Sequence, residues 1–240
     1  MKKIAVLFGA ALLTFAMSAS AQREKVSGNG VMKKESRSVS GTFENIGASG
    51  NFNVQVKQGS ATSIEIEGDE NLLQYIEVKL KGDDLEIRYR RDTELRPSKP
   101  VNVWITNPQI AELAGSGKVR FKSDGKLKGG KLEVALSGTG EADLDLDYSS
   151  LEVALSGNGK VKLSGKTEKT EVAISGSADV DAPSMATEVA EVAISGQGNA
   201  YMNVSKKLEI AISGSGNVRY KGNATVEQSV SGKGRVTHEN

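Results

Sequence analysis

The sequence predicts an all-β fold: a single-chain β-solenoid, like a parallel β-helix, preceded by a mixed β region that contains one short helix. Three observations predict it. The phrase EVALSG at 133 returns as EVALSG at 152, EVAISG at 171, EVAISG at 191, EIAISG at 209 and EQSVSG at 227, with a degenerate LAGSGKV at 113. Within each phrase apolar and polar residues alternate with the period of a strand. A tight S-G-x-G corner follows nearly every one, and a fixed period of this kind means one supersecondary unit stacked on itself.

Residues 1–21 carry Lys2 and Lys3, an apolar run from Ile4 to Met17, and the small residues Ala19 and Ala21. This is the pattern of a secretory signal peptide, with cleavage expected before Gln22. The apolar run is shorter than the ~20 residues that span a bilayer, and no later stretch approaches that length. Residues 22–37 are polar and aperiodic and read as a flexible leader.

Removing Lys2 and Lys3 leaves 29 basic against 30 acidic residues, a net charge of −1. No basic excess points to nucleic acid or to anionic lipid. The chain has no cysteine, so an exported fold must hold itself by burial and backbone hydrogen bonds rather than by disulfides.

Residues 38–108 read as a β-rich cap. Phe52, Val54 and Val56, then Ile64 and Ile66, then Leu85, Ile87 and Tyr89, then Val101, Val103 and Ile105 alternate as half-buried strands. Asp69 ahead of ENLLQYI is expected to cap one or two helical turns, with Leu72, Leu73 and Ile76 inward. Arg91 to Pro100, with two prolines, reads as the longest loop.

Residues 109–240 are the repetitive coils, each of about 19 residues by the recurrence of the phrase, and 38–240 reads as one continuous domain. Gly115, Gly138, Gly157, Gly176, Gly196, Gly214 and Gly232 recur at nearly even intervals after a longer first one. Leu132, Val134 and Leu136 face a core, and Glu133, Ala135 and Ser137 face out, with the same order in later coils. The corner glycines are Gly138, Gly140, Gly157, Gly159, Gly176, Gly196, Gly198, Gly214, Gly216, Gly232 and Gly234, where positive φ turns the chain without a Cβ clash. A second short strand follows each corner, with Ala142, Leu144, Val161, Leu163, Val218 and Tyr220 inward. One such unit cannot bury its own apolar face, and stacked units can.

The outward positions test the stacking. Aligned on the glycines, one column reads Lys118, Glu141, Lys160, Asp179, Asn199, Asn217, Arg235, and the next Arg120, Asp143, Lys162, Asp181, Tyr201, Arg219, Thr237. Charges alternate in sign over the first four rungs of each, as parallel in-register stacking requires.

FENIGASGNFNVQVKQG at 43, GDENLLQYIEVKL at 68 and GDDLEIRY at 82, followed by tandem S-G-x-G strands, resemble the head GIN domain family of autotransporter adhesins, a label that is itself an inference. The resemblance spans roughly Ser38 to His238. It implies a right-handed β-helix-like fold in an exported bacterial protein and carries no catalytic residue over. No translocating barrel follows the last coil, so self-transport is not expected.

Glu133, Glu152, Glu171, Glu191, Glu209 and Glu227 share one outward column. Stacked carboxylates repel, by about 1 kcal/mol per neighbouring pair in water. Lys131, Lys169 and Lys207, two residues before three of them, offer local neutralisation; the alternative is a cation- or partner-binding stripe. Beside it Ala135, Ala154, Ala173, Ala193 and Ala211, then Ser137, Ser156, Ser175, Ser195 and Ser213, make a flat face for a protein, a glycan or a second copy.

Asp143, Asp145 and Asp147 share a face, as in calcium-assisted polysaccharide lyases, but the charge columns place lysine and arginine beside Asp143. GKVKLSGKT around Gly165 has the wrong glycine spacing for a phosphate loop. His238, the only histidine, falls in the inward column of Phe121, Leu144, Leu163, Met202 and Tyr220 and is expected to cap the core end. One histidine and no cysteine build neither a triad nor a His/Cys metal cluster.

The residues lead to the expectation of an exported binding or structural protein, not an enzyme and without cofactor, and the resemblance implies an adhesin-like role in a Gram-negative envelope, periplasmic or on the cell surface. Two other readings stay open: a polysaccharide-active enzyme on a β-helix, and an oligomeric structural scaffold.

Overall fold

Almost every described residue lies in a strand or a tight corner; fourteen strands share one continuous hydrogen-bonded sheet, and two more form a small sheet of their own. The structure, a computed structural model, describes residues 24–239; residues 1–21, expected to be a signal peptide, lie outside them. In chain order the strands are β1 (Glu24–Ser27), β2 (Met32–Arg37), β3 (Asn45–Gln58), β4 (Ser63–Asp69), β5 (Ile76–Lys81), β6 (Asp84–Tyr89), β7 (Thr93–Arg96) and β8 (Val101–Asn107). The coils follow as β9 (Glu112–Gly138), β10 (Glu141–Gly157), β11 (Lys160–Gly176), β12 (Asp179–Gly196), β13 (Asn199–Gly214), β14 (Asn217–Lys221), β15 (Thr225–Gly232) and β16 (Arg235–His238). The main sheet runs β16-β14-β13-β12-β11-β10-β9-β3-β8-β4-β2, with β15 on β13 and β6 on β3.

From β3 and β9 through β16 every rung on the next is parallel. Each of the coils β10 to β13 is one long strand bent near its middle, and in the coil after them the bend parts β14 from β15. In β10, Ala142, Leu144, Leu146 and Tyr148 point inward, the phase slips at Ser149 and Ser150, and Leu151, Val153 and Leu155 point inward again. That one-residue slip is the bend, because period-two alternation otherwise fixes the face. Successive coils lay Val134, Val153, Val172, Val192 and Ile210 over one another, all 3% exposed or less. β-Branched residues suit such a column, and each one fully buried contributes about 1.5–3 kcal/mol. Polar groups at the bend are paired: Tyr148 donates to Ile110 O at 2.8 Å, and the Thr170 and Thr187 hydroxyls are 3.3 Å apart.

Gly157 shows what the corner needs. Its φ is +106°, and a Cβ there would lie 2.7 Å from Gly138 O in the coil before. Gly138, Gly176, Gly196, Gly214 and Gly232 have the same sign of φ, whereas the second corner glycines are absent from the positive-φ set. Gly140, Gly159, Gly198, Gly216 and Gly234 are small for another reason. For Gly159 a Cβ would come 3.1 Å from Gly140 O, and Ala178 fills the equivalent place one coil on. Both glycines were expected to supply positive φ; only the first does, and at Gly159, Gly198, Gly216 and Gly234 the second answers the close approach of coils, whereas at Gly140 a Cβ would meet Leu136 of the same corner.

The first rung departs from the glycine alignment. Glu141 stands opposite Arg120, and Asp143 opposite Lys122, not Lys118 and Arg120. The equivalent of Gly138 is Gly117, not Gly115: Thr139 N donates to Gly117 O at 2.9 Å. A bulge between Lys122 and Lys126 adds two residues to that coil. Phe121 accordingly lies over Ala142 rather than Leu144. Gly50 in turn pairs with Gly117, so β3, inside the segment set apart as a cap, is already a rung of the ladder.

Three expectations for the N-terminal part are corrected. The expected flexible leader contains β1, parallel to β7, and β2, antiparallel to β4; backbone pairing needs no apolar pattern, which is why aperiodic residues can form edge strands. The expected loop from Arg91 to Pro100 holds β7 itself. The short helix is a single 3-10 turn, Leu73–Tyr75, without a side-chain cap. Leu72, Leu73 and Ile76 are buried as expected. The Asp69 carboxylate instead accepts from Gly30 N (2.7 Å), Ser98 N (2.8 Å) and Ser98 Oγ (2.7 Å), tying the leader to the loop before β8. No helix among the described residues is long and apolar enough to cross a membrane.

Candidate functional site

The outward side of the EVAISG segments forms a shallow groove of about 1150 Å³. Its floor is two columns of small side chains. Gly47 pairs with Ala114, and Ala135, Ala154, Ala173, Ala193 and Ala211 continue in register to Ser229. Two residues along, Ser49 pairs with Ser116, followed by Ser137, Ser156, Ser175, Ser195, Ser213 and Ser231. At about 4.8 Å per rung, eight rungs make a strip about 34 Å long. The floor follows from the strand period: where inward residues are bulky Leu and Ile, the residues between them are Ala and Ser.

One end of the floor is walled. β6 pairs with β3 so that Glu86 stands beside Gly47 and Arg88 beside Ser49. β5 backs it, with Arg88 Nη2 2.9 Å from Glu77 Oε2 and Lys81 Nζ 2.8 Å from Glu86 Oε1. Long charged side chains therefore replace the small ones at this rung. The repeat carries no signal for this wall, since β5 and β6 lie outside it.

The glutamate column flanks the floor. Glu133, Glu152, Glu171, Glu191, Glu209 and Glu227 pair in succession. Two residues before them the column reads Lys131, Ser150, Lys169, Val189, Lys207, Thr225, so lysine returns every second coil. Each lysine then has glutamates within reach on its own and neighbouring coils. Lys131 reaches Glu152 at 3.1 Å, Lys169 pairs with Glu171, and Lys207 pairs with Glu209 and reaches Glu227 at 3.5 Å. Hydrogen bonds to these carboxylates push all three ammonium groups up from the ordinary lysine value. Glu112 sits one coil before Glu133 on β9, and burial first, then Glu133 and Asp84, pushes its carboxyl up. Among the described residues no three acidic, His or Cys side chains converge as a metal cluster.

The other sequence candidates are placed as follows. Asp143 stands between Lys122 and Lys162, Asp145 is 3.5 Å from Lys126, and Asp147 is 3.4 Å from Lys166. The three aspartates are thus charge-balanced rather than gathered. His238, expected to cap the core end, pairs with Tyr220 on the last rung: its exposed ring stacks on Tyr220 at 4.7 Å and 14°, with Nε2 3.0 Å from Gly222 O. Tyr220, which it covers, is itself half-buried.

A second outward feature carries no repeat signal. Trp104 lies on β8 between Gln55 of β3 and Glu65 of β4, with Lys34 Nζ 4.2 Å from its ring centroid. Buried Val103 and Ile105 on either side set its outward direction, and that alternation is the signal by which the sequence could have shown it.

A family model described as "Putative auto-transporter adhesin, head GIN domain" matches residues 42–224. Among solved structures, a putative adhesin from Bacteroides fragilis is 23% identical, with a TM-score of 0.83, covering 89% of this chain and 100% of its own. A putative lipid binding protein from Parabacteroides distasonis is 20% identical (TM-score 0.73, 90% and 100% covered), and a putative adhesin from Parabacteroides merdae 24% identical (0.66, 90% and 100%). At these identities the likeness shows the fold. No curated protein matches the chain.

Proposed function

Because the chain belongs to the auto-transporter adhesin head GIN domain family, we propose that it is an exported, non-enzymatic binding protein of a bacterial envelope, which holds an elongated partner along the Ala/Ser floor. The observation that carries this reading is the floor itself, continuous over eight rungs and free of bulky side chains. Its volume is that of a generous ligand pocket. Alanine methyls and serine hydroxyls in adjoining columns give a partner alternating apolar and hydrogen-bonding contacts at the repeat of the coils. Extended polymers match such a strip: a glycan, a peptide strand or an acyl chain. The names of the structural relatives, two adhesins and one lipid binding protein, are compatible with it. The pairing of Asp143, Asp145 and Asp147 with lysines supports binding over catalysis, which needs unneutralised acids beside the scissile bond.

The reading is tested with the chain from Gln22, immobilised and challenged with soluble peptidoglycan fragments, mucin glycopeptides and a monomeric lysophospholipid. Ala173→Arg and Ala193→Arg place long charged side chains on the floor at exposed positions. At least tenfold weaker retention of a bound probe, with an unchanged circular dichroism spectrum, supports the floor. Equal retention contradicts it.

A further inference from the structure

We infer that the outward face of β4, β8 and β3 is a second binding site, for an uncharged pyranose glycan, with Trp104 as the stacking platform. It lies apart from the floor and does not depend on it.

Trp104 is the only tryptophan in the chain. Its column continues through Gln55 to Lys122, Asp143, Lys162 and Asp181. On the coils that column uses alternating charges, which hold adjacent rungs in register. On β3, β8 and β4 the charges give way to an amide, an indole and an acid. Register there is already set by the buried alternation of Val101, Val103 and Ile105, each 1% exposed or less. An outward indole on this sheet is therefore not needed for pairing.

The groups around the ring suit sugar hydroxyls. Gln55 and Glu65 stand directly opposite Trp104, each about 4.8 Å away across the sheet. Two residues along the same face, Asn53 Nδ2 donates to Asn102 Oδ1 at 3.0 Å, and Asn102 Nδ2 donates to Glu67 Oε2 at 3.0 Å. Each asparagine amide still has an N–H and acceptor lone pairs to offer. A pyranose ring is about as wide as one strand spacing, so stacking on Trp104 would bring its hydroxyls within reach of Gln55, Glu65 and Asn102. The negative face of the indole attracts the positively polarised C–H face of the sugar.

The present occupant of that ring is the Lys34 ammonium, tied to Glu65 at 2.7 Å. The Lys34 side chain is 45% exposed and that of Glu65 43%. Such a surface pair is weakly held, so a sugar can displace it. Once Lys34 swings away, Glu65 and Glu67 accept hydroxyl protons and repel carboxylated or sulfated sugars. The same two acids disfavour a nucleic acid strand.

The single tryptophan makes the test direct. Emission of the chain from Gln22 is titrated with maltohexaose, cellohexaose, mannohexaose and laminarihexaose, and with oligogalacturonate as the acidic probe. The expected result is a saturable emission change with at least one neutral hexasaccharide and none with oligogalacturonate. Gln55→Ala and Asn102→Ala, which keep the fluorophore, should weaken that binding at least fivefold without changing the circular dichroism spectrum. Lys34→Ala should strengthen it about twofold or more by uncovering the ring. No response to any neutral hexasaccharide, a response to the acidic probe alone, native affinity in both amide variants, or Lys34→Ala binding no better than the native chain would each overturn the inference.

Discussion

Arg120 clamps Glu141 across the first coil boundary, its Nη2 2.8 Å and its Nε 2.9 Å from Glu141 Oε2. The two are far apart in sequence, and one strand spacing separates them in space. The pair reports the register of the stack at the one rung where the glycine repeat misleads.

Reversing either charge alone, Arg120→Glu or Glu141→Arg, should lower stability, and the double reversal should recover part of the loss. Both side chains are about half exposed, so the coupling should be ~0.2–1 kcal/mol at low salt. A double-mutant cycle in urea measures it. The same cycle run with Lys118→Glu instead of Arg120→Glu should show no coupling to residue 141.

The two corner glycines should respond differently to alanine. Gly157→Ala forces a Cβ into positive φ and toward Gly138 O, and should cost at least ~1–2 kcal/mol. Gly159→Ala has only the 3.1 Å approach to Gly140 O to relieve, and Ala178 shows that the place accepts a methyl. It should cost less than half as much by thermal or urea unfolding. Equal costs would contradict the separate roles assigned to the pair.

Asp69 should make the leader acid-labile. Burial pushes its carboxyl up, but hydrogen bonds from Ser98 Oγ–H and N–H, Gly30 N–H and its own backbone outweigh burial and hold it below the ordinary carboxylate value. A depressed native pKa gives stability that is fully present above the unfolded value near ~3.9 and is lost as pH falls through the native one. Amide protection at Gly30 and Ser98 should therefore drop below about pH 4. In Asp69→Asn, it should be reduced at every pH and flat across that range.

The lysines at every second coil should account for the tolerance of the glutamate column. Replacing Lys131, Lys169 and Lys207 together with Gln should lower the melting temperature in dilute buffer. The deficit should shrink in about 1 M NaCl, where the screening length is about 3 Å. Millimolar CaCl₂ should stabilise the triple variant and leave the native chain unchanged at matched ionic strength. Calcium stabilising the native chain would revive the column as a cation stripe.

The solenoid was legible because its coils repeat the same physical problem. Period-two alternation placed Val134, Val153 and Val172 inward, and charge alternation stacked Glu141, Lys160 and Asp179. The first rung was not legible. Gly115-Ser116-Gly117 satisfies the corner pattern in two frames, and the bulge before Lys126 hides which one keeps register. β1, β2 and β7 escaped because edge strands held by backbone pairing and by the Asp69 carboxylate need no apolar period. The floor was foreseen from Ala135 and Ser137 outward, but not its wall, which comes from the unrepeated β5 and β6. Trp104 stood in an outward phase already readable from Val101, Val103 and Ile105, and only the parallel and antiparallel pairing of β8 with β3 and β4 placed Gln55 and Glu65 beside it.

The floor itself is tested most directly by the alanine methyl groups that form it. With alanine methyls carbon-13 labelled, peptidoglycan fragments, mucin glycopeptides and lysophospholipid are added in turn, and the methyl resonances are followed. Binding along the floor should shift Ala135, Ala154, Ala173, Ala193 and Ala211 together, while buried Ala182 and Ala190 stay in place. If none of the three probes moves the floor methyls, or if a bound probe moves only alanines elsewhere, the floor is not the binding face.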